Sequence, residues 1–237
     1  TGTKQVLVMF SALKITRATH SRLSTVDFDN LGFGDLFSDH MFSLHYEDGK
    51  WGCPEILPYA KIELEPGTAA LHYGQSVFEG LKAFRGSDDV VQVFRPDQNA
   101  KRLLRSCERL CIPPIDEDTF LESIDALIRL DHEWMPRQRG QAFYIRPLIF
   151  GTETHLEVRP SRLFRFIIMT SPVRAYFDAG TGGVALQVEE SFTRAAPGGM
   201  GAVKTAGNYA ASLYPTEQGI KQGLAQALWL DAVEHKY

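Results

Sequence analysis

The chain has 237 residues, a formal net charge of -4 and 44% hydrophobic residues, which is enough for one large domain or two small ones with their own cores. The mildly acidic balance indicates neither a nucleic-acid partner nor an anionic membrane surface. No apolar run approaches the ~20 residues of a membrane span, and no signal peptide is recognisable, so we expect a cytoplasmic protein, with the mitochondrial matrix as the alternative.

The first fifty residues show little regular pattern and are expected to be irregular, apart from an apolar run at 6–10 that is typical of a strand. Residues 51–62 are expected to form short extended pieces, because Pro54 and Pro58 interrupt them. The first 62 residues are therefore not expected to form a continuous sheet.

The middle of the chain shows the patterns of an α+β unit. One helix is expected to begin at Pro96 and end near Cys111. A second is expected to begin at a capping box formed by Thr119 and Glu122 and to run to about Trp134. Strands are predicted at 81–85, 90–94, 142–150 and 163–170. The first two of these would form a hairpin.

The cysteines are three in number, and an odd number argues against a disulfide scaffold. Cys107 and Cys111 lie four residues apart on the first predicted helix, but no His or Cys cluster completes a metal site around them. Both are therefore interpreted as buried apolar side chains.

The segment at 171–178 breaks the pattern and is interpreted as an interdomain linker. It would divide a small α+β domain at 1–170 from the beginning of a larger domain at 179–237. In this second part we expect strands at 184–190 and 224–230 and a helix at 206–219. Pro215 should kink or shorten that helix.

The most informative stretch for chemistry surrounds Lys204, the only charged residue between Arg194 and Glu217. Small apolar neighbours would withhold water from its amine, and a partly neutral lysine can form a Schiff base or act as a general base. The alternative is an exposed lysine on a glycine-rich loop. A nucleotide-binding P-loop is excluded because Val203 stands where that loop requires glycine.

Several motifs follow one another along the chain. They are LHYG at 71–74 with VFEGLKAFRG at 77–86, YIRP at 144–147 with GTE at 151–153, RAAPGGMGAVKTAGNY at 194–209, and WLD at 229–231. Together they resemble the branched-chain amino acid aminotransferases, which belong to the fold-type IV pyridoxal-phosphate (PLP) enzymes. The resemblance implies a two-domain α+β fold, of which this chain would hold the small N-terminal domain and the first part of a larger β-rich domain.

The resemblance also implies roles for individual residues around the cofactor, pyridoxal 5'-phosphate. Lys204 would hold PLP as a Schiff base and then move a proton between the substrate Cα and the cofactor's C4′ carbon. Tyr209 would hydrogen-bond the cofactor's phenolic oxygen, and Arg102 would pair with its phosphate. Arg194 would also lie near the cofactor.

For the substrate, the resemblance implies that Tyr144 contacts the α-carboxylate and that Arg146 receives the side-chain carboxylate of glutamate. Phe78, Tyr73 and Tyr176 would wall the pocket, with Tyr73 reaching into the neighbouring subunit of a homodimer. The implied reaction is transamination of leucine, isoleucine and valine with 2-oxoglutarate, giving branched-chain 2-oxo acids and glutamate.

The family's pattern continues past Tyr237, where the acid facing the pyridine nitrogen and further phosphate-binding turns are expected. The resemblance thus implies that the large domain is incomplete here. Within the fold, the alternatives are a D-amino acid transaminase and an aminodeoxychorismate lyase; the residues around Phe78 and Arg146 favour the branched-chain group. An alternative from another class is a catalytically inactive fragment or dimerisation module.

Overall fold

The structure is a computed structural model that describes residues 13–175 and 183–236. Within 13–175, a nine-stranded, mostly antiparallel sheet has the path β1-β4-β2-β9-β8-β6-β7, with β3 paired to β2 and β5 paired to β8. Its strands are β1 (Lys14–Ile15), β2 (His40–Glu47), β3 (Lys50–Trp51), β4 (Glu55–Pro58), β5 (Ser76–Phe78), β6 (Leu81–Arg85), β7 (Val91–Val93), β8 (Ala142–Gly151) and β9 (Phe164–Val173). The predicted α+β character and the β6–β7 hairpin are confirmed.

Helices cover this sheet. They are α1 (Ala69–Tyr73), α2 (Pro96–Arg109) and α3 (Glu117–Leu130), with short 3-10 turns at Leu23–Thr25, Phe28–Asn30 and His132–Trp134. Helix α2 packs against α3 and β5, and α3 packs against β2 and β9. Phe120, Leu127 and Trp134 are almost fully buried between these layers. The core of the described chain therefore lies between the two long helices and the centre of the sheet.

The predicted capping box is wrong. Asp116 is the N-cap of α3, and its carboxylate accepts hydrogen bonds from the N–H of Thr119 (2.8 Å) and the hydroxyl of Thr119 (2.7 Å). Asp116 rather than Thr119 therefore caps the helix, and α3 begins about one turn earlier than predicted. The helix ends at Leu130 rather than near Trp134. Helix α2 ends at Arg109, so Cys107 is buried as predicted but Cys111 is exposed.

The interpretation of the first fifty residues as irregular is also wrong, because β2 lies between β4 and β9 near the middle of the sheet. Its first five residues are buried, so hydrophobic and polar side chains do not alternate along them. Its polar members find buried partners: the Nδ1 atom of His40 lies 2.6 Å from a carboxylate oxygen of Asp131. The strand predicted at 6–10 lies outside the described residues.

Strand β9 extends through Val173, pairing with the full length of β8 from Ala142↔Val173 to Gly151↔Phe164. The first three residues of the predicted linker at 171–178 therefore belong to this strand. Pro172 is tolerated there because β2 pairs with β9 only as far as Met169, so no described strand lies along the other edge of Pro172. Residues 176–178 lie outside the described part of the chain, and the division into domains stays a prediction.

In residues 183–236, a parallel pair of strands, β10 (Leu186–Glu189) and β11 (Gln226–Trp229), flanks helices α4 (Ala206–Ala210) and α5 (Leu213–Lys221). The predicted helix at 206–219 is thus two helices. Pro215 lies in the first turn of α5, where its missing N–H breaks no helical hydrogen bond. Among the described residues no helix is both long and apolar enough to cross a membrane.

Candidate functional site

The backbone of Lys204 lies between β5 and α2, immediately before α4. Its carbonyl oxygen accepts a hydrogen bond from the N–H of Phe78 (3.1 Å), and its N–H donates to the hydroxyl of Ser106 (2.9 Å). The neighbouring Thr205 forms an isolated antiparallel bridge with Val77. The segment around Lys204 thus pairs with the edge of β5.

The amine of Lys204 lies between two aromatic rings. It hydrogen-bonds the hydroxyl of Tyr209 and lies 4.5 Å from the ring centroid of Phe78 and 4.4 Å from that of Tyr209. These two rings contact each other, with centroids 4.8 Å apart and planes tilted by 56°. Ring faces attract a cation and exclude water from it, so the amine occupies a defined, partly apolar position.

The substrate-side residues reach the same place from β8. Tyr144 and Arg146 are two residues apart on one strand, so their side chains leave the same face. The Nη2 atom of Arg146 donates to the Tyr144 hydroxyl (2.8 Å), and its guanidinium carbon lies 4.8 Å from the Phe78 ring centroid. Gly80 makes room, because a Cβ there would overlap the Tyr144 hydroxyl.

Arg102 forms the adjoining part of the site. Its Nε and Nη2 atoms each donate to Glu79, at 2.7 Å, and Asn99 donates a further hydrogen bond of 2.8 Å to the same carboxylate. The hydrogen bond to Glu79 raises the pKa of Arg102, so the guanidinium stays charged. Glu79 is completely buried, whereas the Arg102 side chain is 42% exposed. The Nη1 side of the Arg102 guanidinium, which does not contact Glu79, therefore remains available to a ligand.

The sequence reasoning assigned no role to Glu79 or Ser106, although Glu79 lies inside a quoted motif. The sequence feature that could have indicated Glu79 is a single carboxylate between Phe78 and Gly80 in an otherwise apolar stretch. Ser106 carried no signal at all, because its partner is 98 residues away.

Two other predicted residues, Arg194 and Tyr73, lie apart from this cluster. Arg194 donates a long hydrogen bond of 3.5 Å to the carbonyl of Gly201 and so contacts the loop that leads to Lys204 rather than its amine. Tyr73 donates to the carbonyl of Leu156 and stacks on His155, with ring centroids 6.5 Å apart. Tyr176 lies outside the described residues.

Curated relatives share this part of the sequence. The chain is 49% identical over 213 residues to branched-chain-amino-acid transaminase 1 of Bacillus subtilis, covering 89% of this chain and 60% of the relative. It is 46% identical over 208 residues to the branched-chain-amino-acid aminotransferase of Mycobacterium tuberculosis, covering 87% of this chain and 56% of the relative. No protein-family model matches the sequence.

Solved structures share the fold. The branched-chain amino acid aminotransferase of Escherichia coli superposes with a TM-score of 0.67 at 28% identity, covering 82% of this chain and 60% of that one. The T.th. enzyme complexed with N-(5'-phosphopyridoxyl)-L-glutamate gives 0.59 at 25% identity, covering 80% and 58%. The chain spans about 60% of the length of these relatives. Over that length it is similar in sequence to the branched-chain aminotransferases, and it has the fold-type IV architecture of the solved ones.

Proposed function

We propose that the natural protein carrying this sequence is a PLP-dependent aminotransferase that exchanges the amino group between leucine, isoleucine or valine and 2-oxoglutarate. The products are branched-chain 2-oxo acids and glutamate. The observation that carries this proposal is the meeting of the Lys204 amine with Tyr209, Phe78 and the Tyr144–Arg146 pair. The names of the relatives support it, as does the phosphopyridoxyl-glutamate in the structure of the T.th. enzyme.

The residues present fit PLP. A primary amine suits its aldehyde, a phenol suits its phenolic oxygen, and a forked guanidinium suits its phosphate. Lys204, Tyr209 and Arg102 provide these three groups, and the Nη1 atom of Arg102 has no hydrogen-bond partner among residues 13–175 and 183–236. Bound PLP would supply an electron-withdrawing ring that stabilises the negative charge left when a proton leaves the substrate Cα.

The chain's own contribution to the reaction is to position that proton transfer. The Nζ atom of Lys204 would accept the proton from Cα and deliver it to the cofactor's C4′ carbon. The Tyr209 hydroxyl directs the amine, and the rings of Phe78 and Tyr209 restrict the water around it.

Arg146 would allow one pocket to accept both types of side chain. Its guanidinium lies over the Phe78 ring, so a branched apolar chain would contact the ring while a glutamate carboxylate would reach the cation at its edge. The Nε atom of Arg146 is buried and has no hydrogen-bond partner among the described residues. An incoming carboxylate would therefore find an unsatisfied donor.

A comparison of amino donors tests this proposal. Arg146→Ala should lower kcat/KM for glutamate about 10- to 100-fold more than for leucine, because a hydrogen bond to a charged group contributes about 1.5–3 kcal/mol. Arg129→Ala is the matched control, since Arg129 is an exposed arginine of α3 that pairs only with Asp125 among the described residues. Equal losses for the two donors would contradict the role of Arg146. A wild-type protein that transaminates neither donor would contradict the proposed activity.

We further propose that the active form is a cytoplasmic homodimer. The support is the exposed position of Tyr73, which is 42% accessible and whose side chain contacts His155 and Leu156. A side chain that does not reach its own site can serve the site of a second copy. Sedimentation of the wild type and Tyr73→Ala, together with their activities, would test the assignment.

A further inference from the structure

We propose that Ser106 is a positioning residue for Lys204, an inference that rests on the proposed role of that lysine in proton transfer. Ser106 lies in the last turns of α2 and is completely buried. Its hydroxyl accepts a hydrogen bond from the Lys204 N–H (2.9 Å) and donates one to the Arg102 carbonyl (2.9 Å). One hydroxyl thereby joins the backbone of the amine-bearing residue to the helical turn that carries the phosphate-side arginine.

The helix itself does not require this hydroxyl. Serine inside a helix competes with the helical hydrogen bonds, and alanine is intrinsically more favourable there. The donor side of Ser106 is used in the ordinary way, toward the carbonyl four residues earlier. What distinguishes Ser106 is the accepted bond, which crosses 98 residues of sequence.

Ser123 shows the same arrangement without the second bond. It is completely buried in α3, and its hydroxyl donates to the carbonyl of Thr119, again four residues earlier, at 2.6 Å. Among the described residues no N–H donates to its oxygen. The two serines thus match in burial and in the hydrogen bond within the helix, and differ in the contact with Lys204.

The Lys204 backbone is held from both sides. Its carbonyl is bound by the main-chain N–H of Phe78, which any substitution at that position other than proline would leave in place, whereas its N–H depends on the Ser106 side chain alone. Loss of that bond would leave the peptide plane before Lys204 held only at the Val203 carbonyl, which accepts a hydrogen bond from the Asn208 side chain (2.8 Å), so its N–H side could shift. The amine would then lose its fixed position between Phe78 and Tyr209. A displacement of about 1 Å of a reacting group can lower a rate about 100-fold.

The test compares Ser106→Ala with Ser123→Ala in the natural protein that carries this sequence. We expect Ser106→Ala to lower kcat for leucine about 10- to 100-fold, with KM changed less than about threefold, because the loss concerns orientation rather than substrate binding. Its midpoint of thermal unfolding should fall no further than that of Ser123→Ala. Ser106→Thr, which retains a hydroxyl, should recover most of the lost kcat.

A second readout does not depend on turnover. In the cofactor-free protein, hydrogen exchange of the peptide containing the Lys204 amide should be faster in Ser106→Ala than in Ser123→Ala or the wild type. If both kcat and this exchange rate matched those of Ser123→Ala, the inference would be overturned. If the wild type showed no transamination, the proposed function would fail, and the exchange comparison alone would decide whether Ser106 holds Lys204.

Discussion

Residues 13–175 and 183–236 are stabilised in different ways. The first part contains a continuous core of fully buried side chains, including Phe42, Phe120 and Ile145. In the described part of the second, Pro215 is the one apolar side chain that is buried, and strand residues such as Val188 and Leu228 are 53% and 47% exposed. The first part therefore provides the stability, and the second brings the Lys204 amine to it.

The candidate functional site lies where these two parts meet. Phe78 and Arg146 come from the first part, and Lys204 and Tyr209 come from the second. Of the contacts that hold them together, the two hydrogen bonds of the Lys204 backbone are the most direct. Chemistry at this site therefore depends on how firmly the weakly packed residues 183–236 are attached to the core of residues 13–175.

The largest expected effect concerns the thiol of Cys107, which reports whether the core of the first part stays closed. Burial raises the pKa of Cys107 to about 12, whereas Cys53 and Cys111 are exposed. Because the thiolate is the reactive form, iodoacetamide at pH ~8 should modify Cys107 at least about 1000-fold more slowly than the other two. Mass spectrometry of timed samples measures this. Equal rates without denaturant would contradict a closed core, and equal rates in urea are the control.

Matched phenylalanine substitutions compare the two parts directly. Phe120→Ala should lower the free energy of unfolding by about 3–5 kcal/mol, because Phe120 is fully buried in the core. Phe192→Ala should cost less than about 1.5 kcal/mol, because Phe192 is 45% exposed and its ring packs edge-on against that of Tyr214. Urea unfolding of the 237-residue chain gives both values. Similar costs would show that the second part has a core of its own.

A smaller effect is expected at Asp39, a buried carboxylate of the first part. Burial raises its pKa, but hydrogen bonds from the Arg22 N–H, the Ser21 hydroxyl and the Trp134 indole outweigh burial and hold the pKa below its ordinary value. Because the folded pKa is lower than the unfolded pKa of about 3.9, ionised Asp39 stabilises the folded protein. This stabilisation is complete above the unfolded pKa and is lost as pH falls through the folded pKa.

The corresponding variant is Asp39→Asn, which should cost about 1–3 kcal/mol near neutral pH, since an amide nitrogen would face one of these donors. The difference in unfolding free energy between the two proteins should shrink as pH falls below about 3.9, because only the wild type loses its charge. Denaturant unfolding at several pH values measures it. A difference that stayed constant down to pH ~2 would contradict the assigned hydrogen bonds.

Sequence patterns predicted the elements whose signals are local. The hairpin at 81–85 and 90–94 and the helix that begins at Pro96 were found because alternation, turn residues and proline act over a few positions. Strand β2 was missed, because its residues are buried by tertiary contacts such as that of His40 with Asp131. No local pattern contains the partner of such a residue.

The site divides in the same way. Lys204, Tyr209 and Arg146 were predicted from motifs that resemble those of the family, and the structure brings these three to one place through Phe78. The pairing of Glu79 with Arg102 joins residues that are 23 positions apart, and Ser106 binds a residue far along the chain. Such pairs depend on how β5, α2 and the second part of the chain pack together.

The most direct test of the account is to identify the lysine that binds the cofactor. The natural protein would be loaded with PLP, its visible spectrum recorded, and the adduct reduced with borohydride and mapped to a peptide. We predict a visible band and a single reduced adduct on Lys204, absent in Lys204→Ala and retained in Lys221→Ala, a control at an exposed lysine of α5. An adduct on another lysine, or no band in the wild type, would contradict the assignment of Lys204 as the residue around which this site is built.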